Sequence, residues 1–255
     1  HVHPEDLFGK EERKKLGKDL KIPEDLWKIG GGSSREYRME LPPYRILMLL
    51  EIDYLIPQDQ SDKIILNWLP LFENYVKMAG KCQNNLHIIL SDETWIWPCR
   101  IKDTNYHLDN SILYLASFEL LKFRLKELPQ EFNNLRINKL IVHLDEEITL
   151  VNEALVNHYA RDDLLAVGMD EIGDPDYSTI TNEICRLFLI TPSSLPLHIM
   201  SENEKWKKLA ENALNRVWSS CNYKGSVRSD SKTNCYTGNS PGYFSSAIGK
   251  LDHWA

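Results

Sequence analysis

From Gln130 to Asp163 the chain runs without a glycine or a proline. Within that stretch Ile137, Ile141, Leu144, Ile148, Val151, Leu155 and Tyr159 follow one another at steps of three or four residues. That spacing puts all seven on one face of an α-helix. Gly168 lies a few residues beyond, where a helix would already have stopped. Leu140 to Leu144 is β-friendly by itself, but the longer period outweighs it. The pattern predicts one long helix over 130–163, and a helix with a continuous apolar stripe must bury it against other elements. The fold class expected is therefore mainly α, a helical bundle with this helix at its centre.

The same period predicts the neighbours. Ile112, Leu115, Phe118, Leu121 and Leu125 mark a helix over 110–128 that Pro129 closes. Ile65, Trp68, Phe72, Val76 and Ala79 mark another over 61–79, with Pro70 inside it as a candidate kink. Ser201 and Glu204 have the spacing of a capping box before Trp206, Leu209, Ala213 and Val217. Ile180, Ile184 and Leu187 predict a helix over 178–190, and Pro23 opens a short one over 23–29. Residues 44–56 read equally as buried helix or strand, and 86–97, rich in Ile, Thr and Trp, as a small hairpin. The chain divides into a charged segment, 1–36, ending in a Gly-Gly-Gly-Ser-Ser loop. A helical core over 37–220 follows, and then a polar, aromatic, loop-rich extension over 221–255.

Composition removes some classes. In 255 residues, 42% are apolar, which suits a globular core and not a disordered tail or a collagen. The most apolar run, 46–56, is interrupted by Glu51 and Asp53 and falls far short of the roughly 20 residues a membrane helix needs. Five cysteines, none spaced as C-x-x-C, and the lack of any N-x-S/T sequon point to a reducing, intracellular, cytoplasmic setting. Cys221 and Cys235 are near enough in sequence to bridge, and Cys235 lies in a polar stretch where His143 or His198 could activate a thiol. Nucleotide-binding glycine loops, a nucleophile elbow and H-E-x-x-H are all missing from the sequence.

The net charge of −7 is not spread evenly. Ten acidic residues and one base, Arg161, fall between Asp145 and Asp176, so the rest of the chain is slightly basic. Asp170, Asp174 and Asp176 crowd a loop with Gly173 and Pro175, the kind of oxygen-rich segment that holds a hard divalent cation. The series fails as an EF-hand, since Thr179 stands where glycine is needed and Cys185 where the last Glu is needed. Capping of the next helix by Asp176 or Ser178 accounts for the same residues without a metal.

Arg136 and His143 lie two helical turns apart on the long helix, and Glu147 is one turn further in the same column. A histidine titrates near neutral pH and can move a proton, and an arginine can stabilise the charge of a pentavalent phosphate. This R-x(6)-H spacing resembles the R-x(4–6)-H motif of the HEPN ribonucleases, although Ile137 follows the arginine where that motif has a polar residue. The resemblance covers about eight residues, and Arg100 to His107 has the same spacing. It implies a helical, often dimeric fold and metal-independent RNA cleavage, with Arg136, His143 and Glu147 as the catalytic candidates. Lys224, Arg228 and Lys232 among Tyr223, Tyr236 and Tyr243 in the extension would suit an RNA strand.

Three functions follow as expectations. The first is a helical protein-interaction or regulatory module that meets a protein partner. The second is a HEPN-like endoribonuclease acting on RNA. The third is a divalent-metal-dependent enzyme using loop 170–176. A second copy of the chain is a further expected partner, and a membrane is not.

Overall fold

Two prolines in succession decide the ambiguous 44–56 segment. Pro42 and Pro43 occupy the first turn of a helix, where a missing N–H costs nothing and a fixed φ is an advantage. In the computed structural model α1 spans Leu41–Asp53. The structure describes residues 15, 18–21, 28–29, 36–37, 41–53, 55–89, 106–132, 134–162, 164–166, 168–169, 174–177, 204–223 and 226–227. The expected 178–190 helix, the expected strands after residue 89 and most of the extension lie outside these residues.

Among the described residues four more helices follow: α2 (Gln58–Lys81), α3 (Leu108–Lys126), α4 (Leu135–Ala154) and α5 (Glu204–Cys221). They confirm the mainly α fold and, with corrected ends, the helices expected over 61–79, 110–128 and 130–163 and the one after Glu204. α2 runs on through Pro70, which sits on its exposed side. The long helix starts at Leu135 rather than at 130, because Gln130–Phe132 forms a 3-10 turn and Asn134 stops the chain before the helix. The Asn134 side chain accepts from the N–H groups of Arg136 and Ile137, at 3.0 and 3.1 Å. Asn134→Ala leaves those donors without that acceptor and is expected to cost about 1 kcal/mol, read as a lower urea midpoint. At its other end α4 passes into a π-helical turn, Leu155–Tyr159.

The strands are two residues each and pair antiparallel. β1 (Lys28–Ile29) joins β2 (Glu36–Tyr37), β3 (Tyr106–His107) joins β6 (Gly168–Met169), β4 (Ala160–Arg161) joins β5 (Leu164–Leu165), and β7 (Asn222–Tyr223) joins β8 (Ser226–Val227). Lys28 and Ile29 were expected to end a helix over 23–29. They extend instead, because pairing with Glu36 and Tyr37 across the glycine loop supplies hydrogen bonds that a short helix remnant lacks.

Among the described elements α3 is the most enclosed. It packs against both α1 and α4, and residues 110 to 118 are all buried. Its core is aromatic: Tyr75 stacks on Tyr114 at 5.7 Å between ring centres, and Phe118 lies 5.7 and 6.0 Å from the two. The Ser117 hydroxyl donates to Tyr114 O at 2.8 Å, which makes Tyr75 the donor in its own 2.5 Å bond to Ser117. Burial raises the Tyr75 phenol well above its ordinary pKa, so it stays protonated and able to donate.

A buried charge network pins α1, α2 and α3 together. Arg124, only 1% exposed, donates through Nε to Asp53 at 2.5 Å, and through Nη2 to Ser61 at 2.5 Å and Asp62 at 2.8 Å. Ser61 in turn donates to Asp53, and Gln58 to Asp62. Burial opposes the guanidinium charge, but the bonds to Asp62 and Asp53 outweigh it and hold the pKa above its ordinary value.

Lys122 ties α3 to α4 by reaching both Glu119, at 3.1 Å, and Asp145, at 3.2 Å. Burial nonetheless raises the Glu119 pKa, with Lys122 opposing and Asp145 adding to the rise. A carboxyl with a raised folded pKa supports folding while protonated and loses that support as pH climbs through the folded value. Glu119→Gln keeps the neutral form at every pH. Its denaturation midpoint, relative to the parent, is expected to rise as pH goes from 4 to 7; a relative fall would contradict the assignment.

Candidate functional site

The three residues expected to carry chemistry, Arg136, His143 and Glu147, do share one flank of α4, the side facing α2. Each reaches a different group there. Arg136 closes a two-point pair on Glu73, Nε to Oε1 at 2.6 Å and Nη2 to Oε2 at 2.7 Å. The hydrogen bond from Arg136 pulls the Glu73 pKa below its ordinary value despite some burial, and the Arg136 pKa rises in response.

One helical turn past His143, Glu147 turns inward and is buried. Its Oε1 lies where a Cβ on Gly80 would come within 3.3 Å, so the glycine leaves the room the carboxylate fills. Gln83 donates to Glu147 Oε2 at 2.5 Å. His143 stands beside the same carboxylate, Nε2 to Oε1 at 3.6 Å, too long for a hydrogen bond and near enough for an ion pair when the ring is protonated. On the far side Gln83 Oε1 meets His87 Nδ1 at 3.2 Å. The result is a polar string, His143–Glu147–Gln83–His87, with an imidazole at each end.

That string rests on a tight turn after α2. The Asn84 carbonyl of the side chain accepts from Leu86 N–H at 2.9 Å and Ile88 N–H at 3.0 Å, and Gln83 bridges to Ile89. The turn forces His87 to a left-handed φ of 59°, an uncommon conformation for histidine.

Chemically, His143 beside Glu147 can relay a proton. Phosphate chemistry also needs a free cation, and here Arg136 is engaged by Glu73. Seven residues of helix separate the backbones of Arg136 and His143 by about 10 Å. Both side chains therefore reach one phosphate only if Arg136 leaves Glu73.

In the acidic loop, Asp174 is exposed and Asp176 half-buried, and Asp170 lies outside the described residues. The backbone there serves as a strand edge: Asp176 N–H donates to Gly168 O at 2.8 Å, and Pro175 bridges Met169. Arg161, the single base of the acidic block, lies over the Tyr177 ring at 4.4 Å, and Arg216 donates to Tyr177 O at 3.1 Å. Among the described residues no group of three or more His, Cys, Asp or Glu side chains is placed to hold a metal. Cys221 is buried at the end of α5, and Cys235 lies outside the described residues.

Sequence reasoning missed Glu73, Gly80, Gln83 and His87, none of which carries a motif. Glu73 and Gln83 meet α4 from more than sixty residues away. The Gly80–Lys81–Cys82 end of α2, followed by Asn84, was the one visible cue that a structured turn lies there.

No described helix is long and apolar enough to cross a membrane. Compared with known proteins, the chain matches no family model, no curated protein and no solved structure.

Proposed function

We propose that the protein is a helical protein-interaction or regulatory module. The observation behind this reading is the outer face of α1. Tyr44 and Met48, one turn apart, are 46% and 48% exposed, and Leu55 just beyond the helix is 78% exposed. Large apolar side chains grouped in this way lose free energy to water unless covered, and Tyr and Met are the types that interfaces favour. A flexible thioether beside an aromatic ring adapts to a partner surface without a preformed pocket.

A second reading, metal-independent RNA cleavage, draws on the His143–Glu147 pair. One experiment separates the two. RNA is incubated with the protein in EDTA, next to a His143→Ala control, and a photo-crosslinking residue replaces Met48 in a parallel preparation exposed to cell extract. The interaction reading expects intact RNA and a discrete crosslinked protein that Tyr44→Ser diminishes. Cleavage that survives EDTA and disappears with His143→Ala replaces it with the nuclease reading.

A further inference from the structure

α4 carries a second regular stripe, opposite the buried one. Leu135, Lys139, Val142, Glu146, Thr149 and Glu153 follow at steps of 4, 3, 4, 3 and 4, the spacing of a helix–helix seam, and all six are exposed. Leu135 and Val142 are 71% and 56% exposed. The Thr149 hydroxyl is turned back onto Asp145 O at 2.8 Å, which leaves its methyl as the group offered outward. The stripe thus presents, in order, apolar, basic, apolar, acidic, methyl and acidic groups.

This order is complementary to itself when reversed. If a second α4 lies antiparallel, with a two-fold axis at Val142, Val142 meets Val142 of the second copy. Lys139 then faces Glu146 of the second copy, and Glu146 faces its Lys139, while Leu135 lies on the Thr149 methyl. Glu153 reaches the N-terminal end of the other helix, where the backbone dipole favours an anion. Glu131, in the turn before that end, is the like charge nearest to it. A parallel pairing would instead set Lys139 on Lys139, Glu146 on Glu146 and Glu153 on Glu153, so the charges select one direction.

We infer that the chain self-associates as a two-fold dimer through antiparallel α4–α4 contact, an inference that goes beyond the α1 face and stands without it. Such a pairing is isologous: each charge pair occurs twice from one complementary contact. A single seam on a helix about 30 Å long buries less than a standard interface, so the dimer is expected to be weak, forming at roughly tens to hundreds of micromolar protein.

Sedimentation velocity of the full chain over a concentration series at low salt tests it. The parent is expected to shift from monomer to dimer, and salt should weaken the shift. Lys139→Glu alone, or Glu146→Lys alone, puts like charges opposite each other and should weaken dimerisation by about tenfold or more. The double variant Lys139→Glu/Glu146→Lys restores opposite charges and should restore the dimer. Both positions are exposed, so melting curves should be unchanged within error, which separates lost pairing from lost fold. A parent that stays monomeric throughout, or a dimer indifferent to either single variant, overturns the inference. So does a double variant that fails to recover, which is the behaviour expected if α4 meets a foreign basic helix instead.

Discussion

Arg124→Met is expected to destabilise the fold by about 3–5 kcal/mol, the largest effect of any single polar change among the described residues. Methionine fills most of the volume, so the loss is not one of packing. Asp53 and Asp62 would remain buried, facing each other and Ser61 without the cation that neutralises them. Both carboxylates are only 3% exposed, so water does not replace the lost cation. The measurement is a urea titration at pH 7 followed by circular dichroism, with the midpoint falling and the slope unchanged. A loss below 1 kcal/mol would mean that the carboxylates find another partner. A companion variant sharpens the test: replacing Arg124, Asp53 and Asp62 together by apolar residues should recover much of the loss, since an apolar core needs no counter-charge.

Phe118→Ala ranks second, at about 3–5 kcal/mol, and works by a different cause. The ring is fully buried on α3 and is held by Tyr75 from α2 and Tyr114 from α3 itself. Truncation leaves a cavity where α2 and α3 meet, and the two tyrosines cannot collapse into it without giving up the Tyr75–Ser117 bond. The same urea titration reads the loss. A double-mutant cycle with Tyr75→Leu should then show about 0.5–1.5 kcal/mol of coupling beyond the separate effects, the share that belongs to ring geometry. Strict additivity would assign the whole effect to buried area.

These two sites differ in how visible they were. The apolar stripe of α4 was legible because half its surface is wet, and alternation of wet and dry is what periodicity records. α3 was legible as a helix, yet its enclosure was not: Tyr114 and Ala116 lie off the predicted stripe and are buried as deeply as the residues on it. Arg124 belonged to no pattern at all, and a basic residue near a helix end reads as solvated. Only tertiary placement against Asp53 and Asp62 turns it into a core residue. The eight described strands were missed for a related reason, since two residues are too few to alternate. At the candidate site, His143 and Glu147 could be paired from the sequence because four residues is one turn. Glu73, which takes Arg136, and Gln83, which takes Glu147, could not, because their proximity is a product of how α2 lies along α4.

The π-helical turn at the end of α4 has a consequence for how this chain can change length. An α-helix advances about 100° per residue, and a π turn absorbs one residue more than an α turn does. Tyr159 closes that turn buried, its carbonyl accepts from Ala166, and β4 and β5 follow at once. Deleting one residue from Val156 to His158 would let the turn relax to ordinary α geometry and leave Tyr159 and the hairpin in phase, whereas inserting one would swing them about a quarter-turn around the helix axis. Gains and losses of sequence are therefore not equivalent here. The segment already holds a surplus residue, so the hairpin's attachment tolerates a loss there better than a gain.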